Sequence, residues 1–454
     1  MSVLFARAAL LPDGWAQNVR ISLDGDRISG ITAGTTAGDG DKRFDTLLPA
    51  LSNLHSHSFQ RAMAGMTERR AEGQDDFWSW RDLMYRFTAA LSPDAVEAIA
   101  ALAFVEMQEA GFAAVGEFHY LHHQPNGQPY DDLGELAHRI SAAAAATGIG
   151  LTHLPVLYTY GGAGEASLQP GQGRFGNSVN RFAALVEQAR RGVDLLPDDC
   201  CIGIAPHSLR ATSPGDLTAV LAAHRGMPTH IHIAEQTQEV EAIEHWLGAR
   251  PVDWLLDNHP VDSHWCLIHA THVTPVETVA LARSGAVAGL CPVTEANLGD
   301  GIFNGPDYLN AGGALGVGTD SNVAISMIQE LRVLEYSQRL RDRARNVLVD
   351  GVGSVGRWLY TQAARGGAQA LGRDAGRIGV GALADLVAID GSDLSLFALS
   401  GDQILDGLVF AAGDHVVTDL WSAGRHMVQS GRHVARDPIA AEYRRIMDGL
   451  LANL

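Results

Sequence analysis

The sequence predicts an α/β protein: a (β/α)8 TIM-type barrel with a small β-sandwich domain built from both chain ends. Between residues 48 and 373, short apolar runs alternate with amphipathic helical segments, as expected of a parallel sheet wrapped by helices. Residues 1–47 and 374–454 instead carry strand-like alternation, and a C-terminal helix closes the second of these stretches. A third observation is chemical. His55, His57, His232, His269 and Asp320 fall at the ends of separate apolar runs, where barrels build their active sites.

Taken in order, the first stretch alternates through Val19-Arg20-Ile21-Ser22-Leu23, turns at Asp24-Gly25-Asp26 and resumes at Ile28-Ser29-Gly30-Ile31. Near the other end, Gly381–Asp390 reads as a turn and strand, followed by Val416–Trp421 and Met427-Val428. These two sets are expected to pair. The eight inner strands are predicted at Leu47–His57, Ala113–Tyr120, Gly150–Tyr158, Cys201–His207, Thr229–Ala234, Cys266–Ala270, Ala286–Cys291 and Ala314–Asp320.

The helices between them have recognisable ends. Ser92-Pro93 opens one that carries Val96, Ile99, Leu102 and Val105 and stops at Gly111, with an N-cap, a proline in the first turn and a glycine past the end. Thr274-Pro275 opens a helix ending near Gly285, and Ser213-Pro214-Gly215-Asp216 starts a third. A doubly wound sheet is the competing architecture, but no glycine-rich phosphate fingerprint follows the first strand. Met63–Tyr85, His122–Asp132 and Gly161–Ser178 lack the regularity of barrel walls. Loops or short helices over the rim, where substrate contacts concentrate, are expected there.

With 454 residues the chain can bury a large core, and 46% hydrophobic with 19% charged residues is ordinary for a globular protein. A formal charge of -19 with no basic stripe argues against nucleic acid or an anionic membrane as partner. A small anionic substrate stays open, because local arginines can dominate a cleft. Arg7 interrupts the first apolar run and Pro12-Asp13-Gly14 ends it, so no secretory signal is expected. No run approaches the roughly 20 apolar residues of a membrane span. Cys200, Cys201, Cys266 and Cys291 form no CxxC pair, which fits reduced thiols in a cytoplasmic protein. Any metal must then be held by histidines and carboxylates.

On a strand, residues i and i+2 face one side about 6–7 Å apart, so His55 and His57 can both point into the barrel. His232 lies in the run Thr229–Ala234, and Asp320 ends the run Leu315–Asp320. Together these four are expected to hold one divalent ion, with His269 across from it. A catalytic zinc in such a set keeps a position for water and lowers its pKa from about 15.7 to about 7. Asp320 can accept a hydrogen bond from that water, and His269 can help deprotonate it or stabilise developing negative charge. Which of the two is the primary base is left open.

Glu235 lies three residues past a ligand. It is close enough to carry a proton to a leaving nitrogen without being bound itself. His230 reads as a supporting or core residue rather than a ligand. The sole lysine, Lys42, precedes the first inner strand and cannot bridge two ions there, so a single ion is the natural reading. A Glu or Cys bridge, and iron or another divalent ion in place of zinc, stay open.

Several of these residues lie in longer stretches that resemble a known family. Leu48–His57, the His232–Glu235 pair, His269 and Asp320 resemble the mononuclear deaminases of the amidohydrolase superfamily, and Ala384-Asp385-Leu386-Val387 resembles its split β-sandwich. More specifically, His55–Gly65, Phe77-Trp78-Ser79-Trp80-Arg81, Glu117–Tyr120, His207-Ser208-Leu209-Arg210 and His269-Ala270-Thr271-His272 are similar to the formimidoylglutamate deiminases. The resemblance covers nearly the whole chain. Its one small departure is Pro49-Ala50, where the superfamily often has Pro-Gly.

The resemblance implies zinc-dependent hydrolysis of N-formimino-L-glutamate to N-formyl-L-glutamate and ammonia, in histidine degradation. It further implies one Zn2+ per chain on His55, His57, His232 and Asp320, catalysis by Glu235, His269 and Asp320, and a homodimer. Gln60, Arg81, Tyr120, His207 and Arg210 match the family's substrate-binding positions, with Arg81 placed in an aromatic loop after the first strand and Arg210 after the fourth. Two arginines suit a substrate with two carboxylates, since each guanidinium offers a bidentate fork. Arg61 reads as a solvated surface charge. One alternative is a deaminase of the same superfamily acting on a purine, pterin or triazine, which would want a stacking slot rather than two cations. The other is a non-catalytic binding barrel, which would be expected to have lost a ligand or Glu235.

Overall fold

The computed structural model describes residues 2–69 and 77–452. Its centre is a ring of parallel strands: Leu51–Ser56, Phe112–His119, Gly150–Leu157, Cys201–Ile202 with Ala205–Pro206, Thr229–Ile233, Trp265–His269, Val287–Leu290 and Ala314–Val317. Parallel bridges Ile204–Thr229 and Ser208–His232 join the two halves on one side, and Ser56–Asp320 closes the ring on the other. At that closure the His57 amide donates to the Asp320 carbonyl and the Asp320 amide to the His55 carbonyl, both at 2.9 Å. Backbone pairing therefore sets the aspartate beside the His55-Ser56-His57 segment before any side chain is considered.

The predicted helix ends are present. Ser92 Oγ accepts the Ala95 amide at 3.2 Å ahead of the helix Pro93–Glu109, and Gly111 follows at φ 95°. Ser213 caps Pro214–Ala223. Thr274 and Glu277 form a reciprocal capping box at the start of Pro275–Ser284, satisfying two amides the first turn would leave unpaired. The helix Val355–Ala370 runs against the strands at backbone distance. A Cβ on Gly366 would lie 1.9 Å from the Leu315 carbonyl oxygen, and one on Gly367 2.6 Å from that of Ser52.

Strands from both chain ends make one eight-stranded sheet among the described residues. The order is Arg432–His433, Arg425–Gln429, Val417–Ser422, Leu386–Ile389, Lys42–Pro49, Ser2–Leu11, Gly14–Asp24 and Arg27–Thr32. The two termini meet where Leu386–Ile389 runs antiparallel to Lys42–Pro49. A bridge from Arg27 to Leu383 brings the far edge back onto the segment entering Leu386–Ile389. The sandwich-like unit is therefore a single rolled sheet around Leu4, Ile21, Ile28, Leu386 and Trp421. Arg373 fastens it to the barrel through Asp199 and Asp385, all three side chains being about 1% exposed.

The structure redraws three local expectations. Leu47–His57 is not one strand: Lys42–Pro49 belongs to the rolled sheet and Leu51–Ser56 to the barrel, with buried Ala50 at the crossing. The fourth inner strand breaks at Gly203, where a Cβ would lie 2.5 Å from the Pro228 carbonyl oxygen. Arg81 stands on a 14-residue helix, Phe77–Ala90, rather than in a loop; part of the Met63–Tyr85 stretch lies outside the described residues. Lys42 sits in the rolled sheet, its Nζ 3.1 Å from His426 Nδ1. All four cysteines are free. Among the described residues no helix is long and apolar enough to cross a membrane.

Candidate active site

At the C-terminal rim of the barrel the backbone departs from ordinary strand geometry. Ala234, His269, Ala270 and Asp320 all have positive φ, between 45° and 69°, a region non-glycine residues occupy uncommonly. The twist at each strand end turns the next side chain over the barrel mouth. His55, His57, His232 and Asp320 each present one ligand atom, and these four atoms lie within 4.8 Å of one another. Asp320 Oδ1 is 3.4 Å from His55 Nε2 and 3.3 Å from His57 Nε2, while His55 Nε2 and His232 Nε2 are 3.1 Å apart.

This donor set fits a cation. His57 Nδ1 bonds the Phe118 carbonyl at 2.9 Å and His232 Nδ1 the His207 carbonyl at 3.2 Å. A carbonyl only accepts, so Nδ1 carries the proton in both rings and Nε2 is left with a bare lone pair. Burial pushes His55 down to about 3 and holds His57 and His232 below the usual imidazole value. Burial alone would raise Asp320, but the hydrogen bond from His55 and the surrounding imidazoles hold it below the usual carboxylate range. Neutral imidazoles converging on an ionised carboxylate are the form that binds a divalent ion. His230 shares the face of His232, as residues two apart on one strand must; its Nε2 bonds the Ala370 carbonyl at 2.8 Å, which keeps it out of the set.

His269 stands across from the cluster, with Nε2 3.9 Å from Asp320 Oδ2 and 4.0 Å from Glu235 Oε1. Burial disfavours its charged form, but Glu235, Glu295 and Asp320 together raise it above the usual value. Burial raises Glu235 in turn, against the pull of His269 and Arg210. Sequence reasoning missed Glu295, whose Oε1 is 3.3 Å from His269 Nδ1. It also missed Glu239, which accepts the Glu235 amide at 3.1 Å. Neither belongs to a recognisable local pattern, because each meets its partner only across a turn or between elements.

One pocket is lined by His57, His232, Asp320, Glu235 and His269 together with all five expected substrate contacts, Gln60, Arg81, Tyr120, His207 and Arg210. His55 lies beneath it, fully buried. Arg81 stacks on Trp78 with its guanidinium carbon 4.4 Å from the ring centre, and its Nε is buried without a hydrogen-bond partner. Gln60 Nε2 donates to the Tyr120 hydroxyl at 2.7 Å, leaving its Oε1 buried and unpartnered. His207 packs edge-on against Tyr158, and burial next to Arg210 keeps it neutral. Arg61, by contrast, pairs with Glu106 at 2.6 Å and does not line this pocket.

The family model described as Amidohydrolase family matches residues 46–427. The chain belongs to that family. A second model, described as Formimidoylglutamate deiminase HutF, N-terminal domain, matches residues 1–45. The chain is 48% identical over 454 residues to the formimidoylglutamate deiminase of Pseudomonas aeruginosa, covering 99% of this chain and 100% of that one. That membership, with the likeness to a deiminase over the whole chain, makes it a hydrolase acting on a C–N bond.

A 5-methylthioadenosine/S-adenosylhomocysteine deaminase of Natronomonas pharaonis is 28% identical, over 84% of this chain and 82% of its own. Among solved structures, an amidohydrolase from Brucella melitensis superposes with a TM-score of 0.95 at 49% identity, covering 99% of this chain and 100% of its own. An adenosine deaminase from Xanthomonas campestris, solved with bound zinc, shares the fold at a TM-score of 0.81 and 23% identity, over 99% of this chain and 98% of its own.

Proposed function

We propose that the protein hydrolyses N-formimino-L-glutamate to N-formyl-L-glutamate and ammonia, as a step of histidine degradation. The observation that carries this reading is a single pocket in which Arg81 and Arg210 face the His55, His57, His232 and Asp320 cluster. Two cations beside a His/Asp metal set match a substrate with a carboxylate at each end of its glutamate part and a formamidine to be attacked. The whole-length likeness to the Pseudomonas enzyme supports the same substrate.

One Zn2+ per chain is proposed for the four-residue set, where it would supply a water acidic enough to ionise near neutral pH. Asp320 and His269 hold the proton of that water, and Glu235 delivers a proton to the departing nitrogen. Arg81 and Arg210 bind the substrate carboxylates, while Gln60, Tyr120 and His207 orient the substrate through neutral hydrogen bonds. The protein is proposed to act as a cytoplasmic homodimer.

The test is ammonia release measured side by side on N-formimino-L-glutamate, guanine, 5-methylthioadenosine and a triazine, with metal content determined on the same sample. Turnover confined to N-formimino-L-glutamate, with one zinc per chain, is expected. Turnover of a heterocycle alone would reject the proposal.

A further inference from the structure

We propose that Glu295 is a positioning residue for His269, fixing the ring and which of its nitrogens faces the reacting atoms. The inference rests on the function proposed above. His269 ends one inner strand, while Glu295 comes from the short helix Pro292–Leu298 that follows the next. Their side chains meet at 3.3 Å, Glu295 Oε1 to His269 Nδ1, at about 6% and 1% exposure. An ionised carboxylate accepts and does not donate, so His269 Nδ1 must carry the proton. That leaves Nε2, 3.9 Å from Asp320 and 4.0 Å from Glu235, as the nitrogen turned toward the substrate.

A competing role is visible. Glu295 Oε1 also accepts the Cys291 amide at 2.9 Å, so the residue could serve only to finish the start of its helix. A glutamine keeps a carbonyl acceptor for the Cys291 amide, but its side chain can also donate and so no longer dictates a proton on His269 Nδ1, which separates the two roles. His269, Cys291 and Glu295 also lie close enough together to hold a metal, and metal stoichiometry decides that point.

The experiment uses the metal-loaded full-length protein. Relative to wild type, Glu295→Gln is expected to lower kcat about 10- to 100-fold with KM within about twofold, as removal of a histidine's carboxylate partner does elsewhere. Metal content and melting temperature should not change. Glu295→Asp, which keeps an acceptor-only carboxylate, should recover part of the lost kcat. An unchanged kcat, a loss that tracks metal or melting temperature, or an aspartate no better than glutamine overturns the proposal.

Ring nitrogen-15 NMR of the wild type, assigned by His269→Asn, gives an independent reading. A proton on Nδ1 of His269 is expected, and a bare Nδ1 overturns the inference whatever the substrate is. Absence of wild-type turnover on N-formimino-L-glutamate would instead count against the function, leaving the NMR result to decide the Glu295 contact.

Discussion

Arg210 Nη2 lies 3.9 Å from Glu235 Oε2, and Arg210 Nε lies 3.8 Å from Glu239 Oε2. The two glutamates are joined in turn, because Glu239 accepts the Glu235 amide. Burial works against the charged guanidinium, but the two carboxylates outweigh it and raise Arg210 above its ordinary value. The side chain proposed to read a substrate anion is thus held in place by the one proposed to move the proton. Binding and chemistry share an ion cluster.

Arg210→Ala should therefore raise KM for N-formimino-L-glutamate steeply, by about 2–5 kcal/mol of lost charge-assisted binding. It should also move the pH profile of kcat upward, since Glu235 loses a positive neighbour that opposes its protonation. Metal content should hold, because Arg210 touches none of the four ligands. Steady-state kinetics with metal analysis check this, and an unchanged KM would remove Arg210 from the substrate site.

Glu235→Gln should leave metal bound and lower kcat by about 10²–10⁴, the range assigned to a positioned proton carrier. The amide preserves the shape of the pocket but cannot ionise. If metal disappears with activity, Glu235 is itself a ligand and the proposed division of labour is wrong.

These predictions use residues that were readable from the sequence because their signals are local. Period two put His55 and His57 on one face, and Asp320 was visible at the end of an apolar run. Ring closure then joined them through the paired backbones of His55, His57 and Asp320. Glu295 and Glu239 were not legible, because Glu295 meets His269 and Glu239 meets Arg210 only between elements, in contacts that no spacing records. Arg81 was recognised by family resemblance, yet its helix was missed. Phe77–Ala90 packs aromatic residues on the pocket side and buries few positions, so it lacks the apolar stripe that announces a helix. Ala50 hid the strand boundary for the opposite reason: it is apolar and buried like its neighbours, so the run reads as continuous.

The Arg373 cluster gives a stability prediction. Asp199 accepts from Arg373 Nη2 at 3.1 Å and from Arg425 Nη1 at 2.7 Å, tying barrel to sheet. Burial alone would raise Asp199, but the two arginines hold it below the usual carboxylate value. A depressed carboxylate stabilises the fold above its unfolded pKa, and that contribution disappears as pH falls through the folded one. Asp199→Asn should destabilise by about 3–5 kcal/mol at neutral pH, the cost of breaking a buried pair. The gap in melting temperature from wild type should stay constant down to about pH 4 and narrow below it. A gap that fails to narrow below about pH 4 would show that the charge does not matter.

Removing the metal should be felt in stability as well as activity. Three imidazole nitrogens and an ionised carboxylate crowd within 4.8 Å, and two of those rings donate Nδ1–H to backbone carbonyls, leaving Nε2 bare. A cation satisfies all four at once. Because it binds the folded chain far better than the unfolded one, zinc at 100 times its Kd should add about 2.7 kcal/mol of stability. Chelated protein should melt several degrees lower and release no ammonia, and stoichiometric zinc should restore both. In His232→Ala the thermal response to zinc should largely vanish. A full response in that variant would place the stabilising ion somewhere other than the barrel mouth.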